Sequence, residues 1–549
     1  MALKKSDSLA SQPASNEGSA KGVLGSPMSR RSLLKTISGG VVLAGFGGGF
    51  LEACSTPSAK SSVPVKSSKA LTVLISTDPP ALDPIKYNAG PMERQYRQVV
   101  ESLYEWTEEK TIVPLLAAAM PSISPDGLTY TVPLRKGVVF HNGKSFGADD
   151  VKYTYEQCML ESNGSIWLPN FAKVSSIVAT DPHTVTITLS EVFTPFLSAM
   201  AMVPIIPSNV AYTPTVYARS LIGTGPFAFD SWEEGVAIHY SKFDKYWSPG
   251  LPKAKTLTFS IVPSTSSRIA SLVDGTGQLI DKVAAKDVSV LTGRGAKVDI
   301  LENSSVVDYM YPNVEPGRWT SNVNARLAVA WAMDRKEILD QVFSGIGVAE
   351  STLPQAGAQY YDTSYGSYFG QSPDVAKAKG YVTAAGGPPS KALEIVVLSN
   401  DVTDATAPIV EQNLSAIGVP SQIITLGETP ALSRLFSLDY DLFLLDVTVQ
   451  QSSGFGSYLA YLAVYPGAFA NFNKFNDPTM TTLVSAAVSA TTSSAQAAAW
   501  KAVQQEWVKQ VPQVLLVTSH FIEAANKSLK GYSPTGLCQL MNLKYAYVS

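Results

Sequence analysis

The sequence predicts a mixed α/β protein with more than one lobe, and three observations support this prediction. Stretches that alternate apolar and polar residues, as strands do, are interspersed with stretches whose apolar residues recur at helical spacing. The chain has 549 residues, which is too long for one small hydrophobic core. Hydrophobic residues account for 45% of the chain and charged residues for 16%, a composition that indicates a folded protein.

Charge and motifs exclude several classes of function. The formal net charge is -3, and no run of basic and aromatic residues follows residue 35, so we predict no nucleic-acid partner. The three cysteines form no CxxC pair, and the four histidines lie far apart without an HExxH motif, so neither a metal nor a cofactor is expected. The sequence also contains no phosphate-loop or nucleophile-elbow motif, which argues against the easily recognised enzyme classes.

Residues 1–53 are predicted to be an export signal. Arg30 and Arg31 precede a glycine-rich apolar run of about 15 residues, which is too short for a comfortable membrane span. The arginine pair resembles a twin-arginine signal, and the residues before Cys54 resemble a bacterial lipoprotein signal in which that cysteine is lipidated. Residues 54–68 would then be a flexible tether. The alternative is a freely secreted protein in which Cys54 is incidental.

A strand and a helix are predicted next. The run KALTVLIST, residues 69–77, begins with the alternation of a strand, and the prolines of the following STDPPALDP end it in a rigid turn. Residues 90–106 are predicted to form a helix, because five apolar side chains share one helical face: Met92, Tyr96, Val99, Leu103 and Trp106.

The most patterned stretch is LRKGVVFHNGKSFGADDVKYTYE, residues 134–156. A strand and an Asn-Gly turn precede a helix that is predicted to begin after Gly147, with Asp149 and Asp150 in its first turn, where the helix dipole favours acids. Each polar residue has a structural reason to be there, so we interpret the stretch as scaffold; the alternative is a catalytic carboxylate pair. Cys158 lies on the apolar face of this helix, and both a Cys158–Cys538 disulfide and two separate thiols stay open.

Two more helices are predicted near the end of the chain. Residues 325–343 have apolar residues at helical spacing, and Gly345 and Gly347 end that pattern. Trp500 and Trp507 belong to a second amphipathic stretch, which Pro512 stops. We interpret both tryptophans as core residues rather than as a platform for a ligand.

Five motifs in order resemble those of one family. They are LRKGVVFHNGKSFGADDV (134–151), GTGPF (223–227) with a later KYW (245–247), ARLA through AMDRK (325–336), DYDL (439–442), and the Val-Pro pair at 511–512. Together they resemble the bacterial extracellular solute-binding proteins of the peptide/nickel class, family 5, which are receptors of ABC importers. The resemblance runs over nearly all of the chain after the export signal.

The resemblance implies an α/β, two-lobed periplasmic-binding-protein-like fold (type II), with an extra subdomain on the first lobe and two crossing hinge strands. Lobe I would hold residues 69–305 and 520–549, including the subdomain at about 93–218, and lobe II would hold residues 306–519. A small-molecule or peptide ligand would be enclosed between the lobes of a monomer. The partners would be an ABC permease and ATPase complex and, through the lipid anchor, the membrane. The protein would be exported and lipid-anchored on the outer face of the cell membrane or in the periplasm.

The family also implies where the ligand binds. In peptide-binding members, an acid in a G-W-x-x-D segment holds the amino terminus of the peptide. Here Gln450 occupies the acidic position, and Asp446, four residues earlier, is the candidate replacement. The ligand-binding residues implied by position are Asp78, Pro79, Tyr311, Asn313, Asp446, Val447, Gln450 and Asn473.

Several ligands and other classes of protein stay open. Because the amide of Gln450 carries no charge, a neutral solute such as an oligosaccharide is the alternative to a peptide. A nickel chelate is a third option, which the small number of histidines weakens. The rival classes are an exported hydrolase, for which we identify no catalytic residue, and a receptor that feeds a signalling system without transport.

Overall fold

A computed structural model describes residues 70–86, 90–107, 111–449, 455–468, 470–534 and 540–549, all within one unit, Val65–Ser549. Inside these ranges the side chains of residues 91, 303–306, 447–449, 455 and 456 are not described. Several predictions therefore lie outside the described residues: the export signal with Arg30 and Arg31, the lipidated Cys54, the tether, Gln450 and Cys538. No helix in the described part of the chain has the length and apolar character needed to cross a membrane.

The strands of the described residues follow one another in this order: β1 Ala70–Ile75, β2 Tyr104–Trp106, β3 Ile112–Pro114, β4 Ser122–Ile123, β5 Thr129–Pro133, β6 Val174–Asp181, β7 Thr184–Leu189, β8 Phe227–Glu233, β9 Ala237–Lys242, β10 Thr256–Ile261, β11 Leu279–Ile280, β12 Lys297–Pro312, β13 Gly347–Ala349, β14 Leu393–Leu398, β15 Ser421–Leu426, β16 Leu442–Val449, β17 Val514–Ala525, β18 Leu529–Lys530 and β19 Tyr547–Val548.

The α-helices of the same residues are α1 Gly90–Tyr96, α2 Ala148–Met159, α3 Leu168–Phe171, α4 Phe196–Met202, α5 Pro214–Tyr217, α6 Thr265–Asp274, α7 Val288–Gly293, α8 Val323–Ala332, α9 Arg335–Gln341, α10 Thr363–Gly366, α11 Val375–Ala384, α12 Asp401–Ala416, α13 Glu428–Ser437, α14 Phe455–Val464, α15 Pro478–Ser489 and α16 Ser493–Gln510. Four short 3-10 helices lie at Glu161–Asn163, Ala285–Asp287, Trp319–Ser321 and Met541–Tyr545.

One mixed sheet runs through both lobes. Its strand order is β15-β14-β16-β12-β17-β11-β1-β10-β9-β8, with β13 added on β17. We call the part from β11 to β8 lobe I and the part from β15 to β16 with β13 lobe II. The long strands β12 and β17 pair antiparallel in both parts, and their register shifts between Leu301 and Ser305. These two strands are the predicted crossing strands, and the shift lies beside the predicted boundary at residue 305, although the boundaries themselves stay predictions.

A second, four-stranded sheet with the order β4-β5-β7-β6 lies within the predicted subdomain range of 93–218. Its strands alternate as half-buried strands do: β7 buries Val185, Ile187 and Leu189 on one face. Helix α2 covers the buried face of this sheet. Two side chains of the helix, Tyr155 and Cys158, are fully buried. Cys158 is a free thiol among the described residues, and its pairing with Cys538 stays a prediction.

The prediction of one helix over residues 90–106 was wrong. Helix α1 ends at Tyr96, and Tyr104–Trp106 form β2, which pairs with β3. The side chains of Val99, Leu103 and Trp106 are still buried, because the chain lies in the core and is covered from more than one side. Helical spacing of apolar residues arises by coincidence where nearly every residue of a segment is buried.

The motif stretch 134–156 packs against the GTGPF motif. The His141 ring contacts Gly225 O through Nε2 at 3.0 Å and accepts from Gly223 N at Nδ1, and burial lowers the pKa of His141 to about 4. A Cβ atom on Gly223 would lie 2.0 Å from Val99 O, and one on Gly225 2.7 Å from Gln98 O, so only glycine fits.

Asp150 has a structural role in the same stretch. Its carboxylate accepts from Gly147 N at the start of α2 and from Ser208 N, and it pairs with Lys144 at 2.6 Å. It is fully buried, so it presents no group to a substrate. These contacts agree with the interpretation of the stretch as scaffold.

The predicted helix over 325–343 is two helices, because Asp334 interrupts it as the N-cap of α9 and accepts from Glu337 N. The next residue, Arg335, is fully buried. Its guanidinium donates to three main-chain carbonyls, those of Glu350 (2.9 Å), Leu515 (3.0 Å) and Ala330 (3.0 Å). It thereby joins α8 and α9 to the crossing strand β17.

Replacing Arg335 with methionine should lower the free energy of unfolding by about 3–5 kcal/mol, because three buried main-chain carbonyls lose their hydrogen-bond donor. Urea unfolding followed by circular dichroism measures the change. The neighbouring Lys336→Met is the control: it removes only an exposed ion pair with Asp340 and should change stability by less than about 1 kcal/mol. Equal effects of the two variants would contradict the role assigned to Arg335.

Candidate functional site

The carboxyl ends of parallel strands from both lobes meet beside the crossing strands. In lobe I, β1 and β11 run parallel and end at Ile75 and Ile280. In lobe II, β14 and β16 run parallel, and the chain leaves β14 at Leu398. Ligands of open α/β sheets bind at such carboxyl ends, where loops diverge and leave room. The candidate site is therefore the cleft between these strand ends.

Lys282 and Asp446 link the two lobes in this cleft. Lys282 follows β11, and its Nζ lies 3.9 Å from Asp446 Oδ2 on β16. The side chain of Asp446 is 11% exposed, whereas that of Lys282 is 42% exposed. Asn400, at the carboxyl end of β14, donates from Nδ2 to Asp446 Oδ1 at 2.7 Å and also caps α12. The carboxylate is thus held in place from its own lobe and faces a cation of the other lobe.

A second carboxyl group, Asp308, lies behind Asp446. The two residues are directly opposite each other in the antiparallel pair of β12 and β16, so their side chains share one face of the sheet. Asp308 is fully buried: Oδ2 accepts from Thr406 of α12 at 3.1 Å, and Oδ1 has no hydrogen-bond partner. Burial, with a smaller contribution from the charge of Asp446, raises the pKa of Asp308 to about 8. Asp308 therefore carries a proton at neutral pH.

The lobe I wall contains a small hollow of about 100 Å³. It is lined by residues at the ends of β1 and β11 and on α1: Ile75, Ser76, Thr77, Arg94, Gln95, Asp281 and Lys282. A buried ion pair of 2.7 Å joins Arg94 to Asp281. Polar groups of both charges therefore surround the hollow, as expected where a polar solute is held.

Asp78 and Pro79 follow β1, as predicted, but Asp78 is occupied within lobe I. Trp232 Nε1 donates to Oδ1 at 2.9 Å, and Gly235 N donates to Oδ2 at 2.6 Å, so the carboxylate fixes the β8–β9 hairpin. Pro79 is buried. A contact of either residue with a solute stays a prediction.

The structure separates three of the predicted residues from Asp446. Tyr311 and Asn313 lie at the far end of β12, and Tyr311 is opposite Phe443 near the start of β16. The amide of Asn313 donates to the carbonyls of Leu438 and Tyr440, each at 2.8 Å.

Asn473 lies at the same end, where its amide donates to the carbonyls of Pro312 (3.0 Å) and Pro512 (2.7 Å). All three side chains are fully or almost fully buried, and both amides have structural roles. Their contact with a solute stays a prediction, as it does for Val447 and for Gln450, which is not described.

Sequence reasoning missed Lys282, Asn400 and Asp308. Asn400 follows the apolar run LEIVVL, so the carboxyl-end rule for strands could have identified it. Strand β11 has only two residues, which is too short to give a pattern, so nothing in the sequence marked Lys282. Asp308 lies inside a crossing strand whose position was inferred only from the family resemblance, so the sequence did not mark this acid as part of the site.

The arrangement of charges in this cleft is suited to the recognition of a charged group. A held carboxylate that faces a partly exposed lysine ammonium can exchange it for the ammonium group of a solute. Within the described residues, no group of three histidine, cysteine or carboxylate side chains could hold a metal ion.

The chain is similar to known solute-binding proteins along most of its length. A family model, "Bacterial extracellular solute-binding proteins, family 5 Middle", matches residues 111–467. The glutathione-binding protein GsiB of Pectobacterium atrosepticum is 25% identical over 508 residues, which cover 88% of this chain and 95% of GsiB.

Two solved structures share the fold. The binding protein AgaA from A. tumefaciens R10, in complex with agropinic acid, superposes with a TM-score of 0.77 at 22% identity, covering 87% of this chain and 99% of AgaA. The oligopeptide-binding protein AppA from Bacillus subtilis, in complex with a nonapeptide, gives a TM-score of 0.77 at 19% identity, covering 88% of this chain and 99% of AppA. These matches confirm the predicted two-lobed, type II binding-protein fold with its two crossing strands.

The match spans more than half of the chain and includes the first four motifs, the crossing strand β12 and the whole of β16. It also agrees with the prediction that the protein is a receptor and not an enzyme. The chain belongs to family 5 of the bacterial extracellular solute-binding proteins.

Proposed function

We propose that the protein is the substrate-binding lipoprotein of an ABC importer, which captures a peptide or peptide-like solute between its lobes and delivers it to a membrane permease. The observation that carries this proposal is the Asp446 carboxylate, held by Asn400 in lobe II and faced by Lys282 of lobe I. Relatives whose names give glutathione and a nonapeptide as ligands support a peptide-like solute.

The amino terminus of the solute would bind to Asp446. A buried ammonium group requires a carboxylate, because an unpaired charge in a closed cleft is very costly. Because Asp308 carries a proton, it adds no second negative charge behind Asp446, and the site matches one cation. Lys282 supplies that cation when no solute is present, and its exposed side chain can move aside.

Anchoring through Cys54 would keep the receptor beside its permease. The arginine pair Arg30-Arg31, the apolar run and the cysteine support export followed by lipidation, and residues 54–68 would give the receptor reach. Lobe closure around the solute would then present the loaded form to the permease.

The variant Asp446→Asn should weaken binding of peptides with a free amino terminus by tenfold or more, because a buried ammonium loses its charge partner. Isothermal titration of glutathione and of di- to pentapeptides measures the affinity, and the same peptides with acetylated amino termini should bind both proteins alike. Asp340→Asn, an exposed acid on α9, is the control. Unchanged binding by Asp446→Asn would exclude Asp446 as the anchor.

The stability of the protein should fall as pH rises from about 4 to about 8, in part because of Asp308. In that window the folded state keeps a proton on Asp308 that the unfolded state releases, since folding raises its pKa to about 8. The variant Asp308→Asn should make this decline shallower by up to about 1.4 kcal/mol per pH unit.

Urea unfolding at several pH values tests this expectation. Glu350 and Glu523, whose pKa values burial also raises to about 8, contribute equally to the wild type and the variant, so the difference isolates Asp308. Identical pH profiles of the two proteins would show that Asp308 is ionised in the folded state.

Replacement of Cys54 by alanine should move the mature protein from the membrane fraction to the soluble exported fraction, because the lipid acceptor is lost. Immunoblots of fractionated cells measure the distribution. Lysine at both Arg30 and Arg31 should instead leave the precursor inside the cell. Membrane attachment of Cys54→Ala would contradict a lipid anchor at this residue.

A further inference from the structure

The chain enters lobe I at the amino-terminal end of β1. This strand begins at Ala70, which is exposed and lies opposite Thr256 at the start of β10. It then runs through the sheet to Ile75, which lines the hollow of the candidate site. The end of lobe I that receives the chain therefore lies at the opposite end of β1 from the candidate site. We call it the entry end.

Lysine residues are concentrated at the entry end. Lys255 precedes β10, and its carbonyl accepts from the main-chain N–H of Lys242, the last residue of β9, at 2.9 Å. The two lysines lie one step beyond the pair Ser241–Thr256, so both are at the same edge of the sheet. Lys253 is two residues before Lys255 in the chain. Lys253 and Lys255 are exposed, and Lys242 is half-buried.

The carboxyl-terminal segment lies at the same end. Strand β19 packs beside β1, and its partner β18 places Lys530 opposite Tyr547. Tyr545 ends a 3-10 helix, and the carbonyl of Lys544 in that helix accepts from Lys253 N at 3.0 Å. Lys530 is exposed, and the two tyrosines are 43% and 46% exposed. Tyrosine has an apolar ring and a polar hydroxyl, a combination that is enriched where membranes meet water.

These residues form what we call the basic surface: Lys242, Lys253, Lys255, Lys530, Tyr545 and Tyr547. None of its four lysines forms an ion pair with a carboxylate of the described residues. The acids nearest in the chain and the sheet are Asp244 and Asp230, and Asp230 accepts from Ser241 Oγ at 2.8 Å. The basic surface therefore keeps an excess of positive charge.

This local charge is opposite in sign to that of the protein as a whole. The chain after the predicted export signal has a formal net charge of -6, because residues 1–53 contribute six basic and three acidic residues to the total of -3. An acidic protein is repelled by an anionic surface unless it presents a region of positive charge. The basic surface is such a region.

The predicted tether would bring the basic surface to the membrane. It joins the predicted lipid anchor at Cys54 to the entry end at Ala70, and residues 55–69 contain three lysines and no acid. A flexible chain of this length has an average end-to-end distance of about 22 Å. The entry end would therefore be the part of lobe I that is held nearest to the membrane.

We propose that the basic surface docks on the anionic phospholipid headgroups of the membrane to which Cys54 is anchored, a proposal that rests on the proposed lipoprotein function. The lysine ammonium groups would face the lipid phosphates, and the exposed tyrosines would lie at the level of the headgroups. A lipid anchor and a basic surface together bind a protein more firmly than either alone.

Docking in this way would orient the receptor. The cleft lies at the other end of β1, so it would face away from the membrane, where solutes arrive. Presentation of the cleft to a permease would then require lobe I to leave the lipid surface. The basic surface would thus hold the receptor in an orientation for capture between rounds of delivery.

Vesicle flotation tests the proposal with the mature chain that carries Cys54→Ala and so lacks the lipid. This protein should bind vesicles that contain phosphatidylglycerol at least fivefold more than vesicles of phosphatidylcholine alone, because only the former are anionic. Added salt should reduce the difference, since it screens exposed charges.

Two triple variants, made in the same mature chain, locate the binding. The first replaces three lysines of the basic surface with glutamine and should lower binding to the anionic vesicles by about tenfold. The second removes three exposed lysines of lobe II, and hence the same charge, and should bind as the parent does. The substitutions are Lys242→Gln, Lys253→Gln and Lys255→Gln in the first variant, and Lys377→Gln, Lys379→Gln and Lys391→Gln in the second.

Selective loss of binding in the first variant, with its melting temperature and peptide affinity unchanged, supports the proposal. Equal loss in both variants, or no preference of the parent for anionic vesicles, overturns it. Binding that appears only when the permease complex is present in the vesicles would assign the surface to a protein partner and overturn it as well. Peptide titration and fractionation of Cys54→Ala test the receptor and the anchor separately, so a failure of the proposed function is seen there.

Discussion

The antiparallel pairing of β12 with β17 is the interaction on which the rest of the structure depends. Both strands contribute to the sheet in both lobes, so one set of main-chain hydrogen bonds holds each lobe together and joins it to the other. Arg335 ties two helices of lobe II to β17, and Asn473 bonds the carbonyls of Pro312 and Pro512 at the far ends of the crossing segments. The sequences of the loops at the strand ends can then vary while the β12–β17 pairing keeps the two lobes joined.

Buried acids lie on both of these strands. Asp308 on β12 and Glu523 on β17 are fully buried, and burial raises the pKa of each to about 8. A neutral carboxyl can be tolerated in the interior, where an ionised one would need a full set of partners. The acid next to the cleft, Asp446, has partners from both lobes. The charge that can recognise a solute is thus placed at the surface of the cleft.

The sequence motifs predicted the family and the architecture because their residues make contacts that the fold itself requires. Gly223 and Gly225 are needed for the close approach to Gln98 and Val99, and Asp150 is needed at the start of α2. The single helix predicted over 90–106 was wrong, since periodicity cannot tell a helix from an irregular segment that is buried all round.

The site was less predictable, for physical reasons. Asp446 was identified as a candidate, but Asp308, Asn400 and Lys282 approach it through strand register and lobe contact, which depend on residues far away in the chain. Asn313 and Asn473 were proposed as ligand residues, and the structure shows their amides bonded to main-chain carbonyls. A buried asparagine that holds the backbone and one that holds a ligand look the same in a sequence.

The narrowness of the sheet between the lobes has a mechanical consequence. In the described residues, β16 pairs with β12 no further than Ser305, and β11 pairs with β17 only at Ala524 and Ala525. Between the pairs Leu301–Phe521 and Ser305–His520, the described part of the sheet therefore consists of β12 and β17 alone. A two-stranded ribbon twists more easily than a wide sheet. Opening of the cleft should therefore include a twisting rotation of one lobe about the long axis of the ribbon, in addition to hinge bending. A solute would leave on the side of the cleft that this rotation uncovers.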